Sequence, residues 1–322
     1  MSRPENHASQ SPTTRTTLFM HALMLVATVL VATTFPVVAT ITGSLDSAVL
    51  TFIRFSLATL LFAPIVAVRY GIPCPGLRDL LRYSVLSLLL VSFFWCMFAA
   101  LRLTTPLNTA AIFSLSPVIT AALAAILLRE KMMFSARVAL PLGAIAAIWV
   151  IFRGDVDALT ALRLGAGDLL FLAGTIALAT YGTLVKVLHR GEPAARMTFW
   201  ILATGSVWLS VLALPGLRSI AWAEIPIATY AGIAYLSVFS TIVTFFLFQW
   251  STTRIGPTRV ISYTFLNPAL VLIIGLAFGD SLPPFATWPG VILAIAATVV
   301  LQTNFSVRAR PVKPVPRPAL ES

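Results

Sequence analysis

Apolar runs of about twenty residues alternate along the chain with short polar connections, the spacing of helices that cross a ~30 Å hydrocarbon layer and return. Ten runs fit: Leu18–Thr40, Ala48–Val68, Tyr83–Leu101, Leu107–Leu128, Val138–Phe152, Leu169–Val185, Met197–Leu214, Ile227–Trp250, Pro257–Gly279 and Phe285–Phe305. The pattern predicts an all-α polytopic membrane protein with ten transmembrane helices. The fifth and sixth runs are short and borrow flanking residues such as Arg137 and Lys186, whose long stems snorkel toward the headgroups. The first run exceeds the about 7–15 apolar residues of a cleaved signal core and reads as a retained span. Residues 1–17 are polar and rich in Ser and Thr, and residues 306–322 are basic and rich in Pro, so both read as disordered tails.

The polar connections carry a direction. With residues 1–17 inside, the tails and even-numbered connections hold 17 of the 22 Lys and Arg. The opposite side holds Arg102, Arg153, Arg163 and Arg218, and Arg54 falls within a span. Basic residues concentrate on the cytoplasmic side of membrane proteins, and a missed span would scramble the alternation beyond it. The expectation is an integral protein of the plasma membrane (bacterial inner membrane), surrounded by lipid bilayer, with both termini cytoplasmic.

A second regularity lies across the halves. Residues 101–123, LRLTTPLNTAAIFSLSPVITAAL, align at an offset of 151 with residues 252–274, TTRIGPTRVISYTFLNPALVLII. Pro106 falls on Pro257 and Pro117 on Pro268; farther on, Glu130 and Asp280 close the fourth and ninth runs, and Gly143 and Gly290 mark the next run in each half. The chain therefore reads as two copies of a five-helix unit, residues 18–152 and 153–305. Five is odd, so the second copy enters the membrane inverted, with a pseudo-two-fold axis in the membrane plane.

Composition removes other classes. Hydrophobic residues make up 58% of the chain and charged residues 10%, with a mean hydropathy of +0.94. Soluble chains carry about 25% charged residues, so there is too little charge here to cover a soluble core. The net charge of +11 is dispersed between spans, which makes it a topology signal and predicts no nucleic-acid partner. Cys74 and Cys96 lie in different environments and form no metal or disulfide pattern, and no cofactor or metal is expected.

The candidate chemistry sits inside the spans. A proline within a helix removes one backbone hydrogen bond, so Pro117 and Pro268 should free the carbonyls of Phe113 and Thr264 near the bilayer centre, suited to an ammonium group. Ser116 and Asn267 precede these prolines at equivalent positions, and Tyr263 lies four residues before Asn267 on the same face. Prolines that merely kink their helices for packing are the alternative. Arg54 lies about 9 Å into its span. An arginine there costs at least ~2.5 kcal/mol unless it faces the bundle interior or water, so a substrate carboxylate is its natural partner and a structural tie to helix-end carbonyls or Asp46 the alternative. Trp95 and Tyr181 are aromatic candidates for the wall of a metabolite cavity. No span contains Asp or Glu and His21 is the one span histidine, which argues against a proton relay.

The stretches IRFSLATLLFAP, SLSPVITAALAAILLREKM and FLNPALVLIIGLAFGDSL, in this order within ten spans, resemble the EamA-type members of the drug/metabolite transporter superfamily over residues 18–305. The resemblance implies a ten-helix basket around a central cavity, exporting amino acids, other metabolites or drugs. Asp280 departs from it where Glu is commoner. The functional expectation is a secondary transporter of small-molecule substrates, acting by alternating access as a monomer or homodimer. A channel would want a ring of repeated polar groups and the two copies offer only a pair; a non-transporting scaffold is the remaining alternative. Three histidines and no embedded acids supply no catalytic cluster, and no GxxxxGK[ST] loop supplies ATP binding, so no enzyme is expected. The topology predicts that cysteines introduced by Ser44→Cys and Ser281→Cys react with an impermeant maleimide added to intact cells, whereas one introduced by Ser135→Cys does not; labelling at position 135 in sealed cells would reverse the orientation.

Overall fold

The computed structural model describes residues 14–41, 45–104, 106–129, 132–161, 165–220, 222–277, 279 and 282–303, and every regular element among them is helical. The first three spans are α1 (Thr14–Ile41), α2 (Ser47–Tyr70) and α3 (Leu77–Leu101). The fourth is broken into α4 (Pro106–Phe113) and α5 (Ser116–Leu127), and the fifth is α6 (Phe134–Ile151). After a short surface helix, α7 (Val156–Thr160), come α8 (Ala166–Leu188) and α9 (Ala194–Ser219). The eighth span runs α10 (Ile227–Ser237), a π-helical turn (Val238–Val243) and α11 (Thr244–Ile255). The ninth runs α12 (Pro257–Ser262), a 3₁₀ turn (Tyr263–Leu266) and α13 (Asn267–Ala277), and α14 (Trp288–Thr303) is the tenth.

Nine stretches among the described residues are long and apolar enough to cross a bilayer. The tenth is α1, whose 28 residues reach about 42 Å although its described apolar stretch, Phe19–Thr34, is shorter. Local chemistry sets the ends. The Asp46 carboxylate accepts from Ala48 N–H at 2.9 Å and starts α2, and Gly256, at φ 92°, stops α11 directly before Pro257 opens α12. The expectation that no span holds an acid is corrected here. The third span begins at Leu77 rather than Tyr83 and so includes Asp79, and the sixth begins at Ala166 rather than Leu169 and so includes Asp168, which is only 2% exposed. Its carboxylate accepts from Gly165 N–H at 2.7 Å, the Thr104 hydroxyl at 2.5 Å and the Asn108 amide at 3.3 Å. The first turn of a helix has backbone donors to spare, which is why an acid can be buried there and nowhere deeper.

Packing follows the repeat. α2 lies along α9, α6 along α14, and α5 along α12, three pairs that join equivalent spans of the two halves across a common axis. The remaining pairs come in matched sets: α3 on α8 corresponds to α10 and α11 on α1, α5 on α8 to α13 on α1, and α3 on α9 to α10 on α2. Small residues let these pairs approach closely. A Cβ on Gly174 would fall 2.7 Å from the Cys96 Cβ, fixing α8 against α3. One on Gly143 would fall 2.5 Å from the Phe265 ring, so that the 3₁₀ turn of the ninth span seats directly on α6.

The symmetry of these contacts is incomplete. α5 and α12 pack in the half of the molecule next to the basic connections, but their counterparts α4 and α13 share no comparable contact among the described residues. α11 likewise packs on α8, whereas α3 and α1 do not pack in the corresponding way. The basic end is also tied by side chains. Arg82 bonds Glu192 at 3.0 Å and the Leu188 carbonyl at 2.6 Å, Arg190 bonds Asp79 at 3.1 Å, Arg196 bonds the Tyr70 carbonyl, and Thr198 bonds Gln249. The bundle is closed at its basic end and parted between the fourth and ninth spans at the other. Glu130, Asp280, residues 1–13 and residues 306–322 lie outside the described residues, whereas residues 14–17, expected to be part of a disordered tail, form the first turn of α1.

Gly143→Ala should cost about 1–3 kcal/mol because a buried, fully planar ring stands where the methyl would go. A Gly143→Ala protein that melts with wild-type behaviour in detergent would show that α6 and the ninth span are not locked at this point.

Candidate functional site

α2 presents Phe55, Ala58, Phe62 and Val66, all buried, to α9. Arg54 comes seven residues after Ser47, about 10 Å into the helix, and is turned into the bundle with 8% of its surface exposed. Its partner is the π-helical turn of the eighth span. A π turn carries one residue more than an α turn, which shifts the side chains beyond it and opens the backbone ladder. The Thr241 hydroxyl donates at 2.9 Å to the Leu236 carbonyl five residues back and accepts from Arg54 Nε at 2.5 Å. The Ser240 carbonyl accepts from Arg54 Nη2 at 2.8 Å and from the Thr244 hydroxyl at 2.8 Å, while Ser240 Oγ lies 3.3 Å from Nη2. The Phe94 ring stands 5.8 Å from the guanidinium carbon. α1 supports the turn from behind: Thr34 Oγ1 is 2.5 Å from Ser240 Oγ, and Thr33 Oγ1 is 2.7 Å from the Tyr235 hydroxyl.

Every oxygen bound to Arg54 is neutral. Among the described residues no carboxylate pairs with it, and its Nη1 makes no hydrogen bond. A buried cation is stable only when its charge is compensated, and neutral dipoles compensate it incompletely. Arg54 is therefore a buried cation held, among the described residues, by neutral dipoles alone.

The paired prolines open the second halves of the broken spans. Pro117 and Pro268 are the second residues of α5 and α13, and Ser116 and Asn267 the first. Ser116 is fully buried with no partner for its hydroxyl, and the side-chain carbonyl of Asn267, itself 6% exposed, is also unpartnered. No hydrogen bond joins the two residues. Thr120, Gln249, Ser251 and Thr258 carry further buried polar atoms without partners, on α5, α11 and α12, which pack together. Buried polar groups are otherwise almost always paired, so this concentration marks a place where water or a ligand completes the bonding.

The expectation of a freed Thr264 carbonyl is corrected. The chain tightens into a 3₁₀ turn over Tyr263–Leu266, and the Asn267 N–H reaches that carbonyl. The Thr264 hydroxyl donates to the Ile261 carbonyl at 2.7 Å. The Tyr263 hydroxyl lies 2.7 Å from His21 Nδ1 and joins the ninth span to α1. Phe113 ends α4 with its ring 5.9 Å from Phe93, and Tyr181 packs against the cluster that contains Phe55. Trp95 is half-exposed on the surface of α3, lining a groove with Phe94 and Thr51.

Residues 18–152 and 165–303 each match the EamA-like transporter family, one match to each five-span half. The chain belongs to the EamA-like transporter family. Among curated proteins, an EamA-like chain of this kind is similar to the uncharacterized transporter YyaM of Bacillus subtilis (strain 168), 27% identical over 234 residues, 72% of this chain and 77% of that one. A solved crystal structure shares the fold, with a TM-score of 0.72 at 15% identity over 92% of this chain and 99% of that one. This EamA-like protein is an integral membrane transporter.

Sequence reasoning found Arg54 and missed what holds it. The signal was present as a stripe of hydroxyls at helical spacing, Ser237, Thr241, Thr244 and Ser251, in an otherwise apolar span. Thr241→Val should remove the Nε acceptor and leave the buried cation short of one bond, costing about 1–3 kcal/mol, whereas Thr241→Ser should keep it. Thermal unfolding of the three proteins in detergent checks this, and equal midpoints for valine and serine would remove Thr241 from the site.

Proposed function

We propose that this EamA-like transporter is a secondary carrier that exports small carboxylate-bearing metabolites, amino acids or amphipathic organic solutes, by alternating access. The observation that carries the reading is the buried Arg54 held by neutral oxygens alone, a cation whose missing counter-charge is the substrate carboxylate. The unpartnered polar atoms of Ser116 and Asn267, with the carbonyl of Phe113 and the hydroxyls of Tyr263 and Thr264 at the breaks marked by Pro117 and Pro268, serve the polar remainder of the substrate. Tyr181, packed against the cluster that contains Phe55, serves its apolar part, whereas Trp95 lies half-exposed on the surface of α3 and is left out of the substrate site. The unequal closure of the two ends supports alternating access, because the repeat makes the opposite closure, with α4 on α13, available to the same chain. With the basic end in the cytoplasm of a bacterial inner membrane, this conformation faces outward, and the transporter acts as a monomer or homodimer.

Energetics follow from the acids. Asp168 is engaged by three donors at a helix start and His21, in the half of α1 nearer the basic end, is tied to the Tyr263 hydroxyl, so neither is placed to carry a proton across the centre. Transport should therefore proceed down the substrate gradient or by exchange without an imposed pH difference. The test is counterflow of radiolabelled amino acids by the purified protein in liposomes at equal pH, after a thermal-shift screen names the class; a ligand at 100 times its Kd should add about 2.7 kcal/mol. Carboxylates should stabilise the wild type and their decarboxylated analogues should not, and Arg54→Gln and Asn267→Ala should abolish counterflow. Wild-type rates in both variants, or equal binding of decarboxylated analogues, would overturn the assignment. An absolute need for a pH gradient would overturn the uncoupled cycle.

A further inference from the structure

A groove of different character lies on the membrane face between α2, α3 and α9, in the half away from the basic end. It has two connected parts of about 290 and 280 Å³, which share Trp95 and Leu212. The deeper part is apolar and opens sideways, lined by Trp208, Val211 and Leu212 of α9 facing Leu88 and Trp95 of α3; these five are 39–65% exposed inside a hydrophobic span, and the solvent they meet there is acyl chain. The other part rises along Thr51 and Phe94 to the ends of the helices, about 9 Å beyond Trp95, and finishes on an ion pair.

That pair is Asp46 with Arg102, 3.5 Å apart, their side chains 43% and 76% exposed. At such exposure and length the contact is weak, and both charges keep free positions. One Asp46 oxygen is held by the Ala48 N–H, which fixes the carboxylate at the start of α2. The rim therefore offers a fixed anion and a mobile cation side by side at headgroup level, above a slot the shape of a chain.

We propose that this groove binds a zwitterionic aminophospholipid of the phosphatidylethanolamine type, with its phosphate on Arg102, its primary ammonium on Asp46 and one acyl chain along Trp95 and Trp208. Charge complementarity selects the headgroup. An anionic glycerol headgroup would satisfy Arg102 and meet Asp46 with like charge, and a choline headgroup has no N–H to donate to the carboxylate. The groove shares Phe94 with the surroundings of Arg54, but its charged rim is Asp46 and Arg102, and the proposal holds whether or not Arg54 binds a carboxylate.

Tryptophan quenching by lipids brominated on the acyl chains tests it. The full-length protein is placed in phosphatidylcholine vesicles doped with a low fraction of brominated phosphatidylethanolamine, phosphatidylglycerol or phosphatidylcholine, and the contributions of Trp95 and Trp208 are read by difference from Trp95→Phe and Trp208→Phe. Brominated phosphatidylethanolamine should quench this component about two- to fivefold more than its mole fraction gives, the range of one exposed ion pair, and the other two lipids should quench in proportion to theirs. Asp46→Asn and Arg102→Gln should each bring the ethanolamine lipid down to proportion. Proportional quenching by all three lipids in the wild type overturns the proposal without any variant. Preference for phosphatidylglycerol, or an unchanged preference in Asp46→Asn, overturns the zwitterionic assignment, and so does displacement by an amphipathic carboxylate with no preference among the lipids.

Discussion

Hydrocarbon offers no hydrogen bonds, so each peptide N–H and C=O within a span must find its partner inside the chain, and this requirement governs the whole structure. It makes every span a helix. It also decides where a span can be broken, because irregular backbone at that depth has to be covered by protein or by what the protein encloses. The fourth, eighth and ninth spans are the ones interrupted: by the turn at Ser114–Leu115, by the π turn Val238–Val243 and by the 3₁₀ turn Tyr263–Leu266. The breaks recover backbone bonds locally, as where Asn267 N–H takes up the Thr264 carbonyl and Leu115 N–H the Ile112 carbonyl, and buried side chains such as Ser116 and Asn267 beside them keep polar atoms without partners.

Arg54 shows how such a break is used. The π turn directs Ser240 and Thr241 toward the guanidinium, and α1 holds that turn through Thr34. Three oxygen contacts from the eighth span and one ring contact from the third position the charge without neutralising it. A carboxylate among them would have been simpler for folding and would have left nothing for a ligand to supply. The same reasoning separates Arg54 from Arg82, which is as deeply buried but meets Glu192 and Asp79 and serves closure of the basic end.

The two halves of the chain pack through matched sets of helix pairs, but the match is incomplete. In the structure α5 meets α12 while α4 and α13 stand apart, and the polar ties of Arg82, Arg190, Arg196 and Thr198 all lie at the closed end. Tight approaches such as Gly174 on Cys96 and Gly143 on Phe265 lock α8 to α3 and the ninth span to α6, because a packed interface has no room to slide at these points.

The sequence alone determined the all-helical membrane class, nine of the ten expected spans, the two-repeat organisation and the family, because length and hydropathy suffice to define a span and an offset of 151 places Pro106, Pro117, Pro257 and Pro268 in register. It also picked out Arg54, since a charge inside an apolar run needs a reason wherever the run lies. It misjudged the start of the sixth span and so overlooked Asp168, because hydropathy averages over a window and cannot see that a helix's first turn supplies donors to an acid. The neutral partners of Arg54, the tie between His21 and Tyr263 and the unequal closure of the two ends were decided only by the tertiary structure. Each depends on which face of one helix meets which face of another over separations of about two hundred residues, as from Arg54 to Thr241 or His21 to Tyr263, and periodicity within a span carries no record of its neighbour.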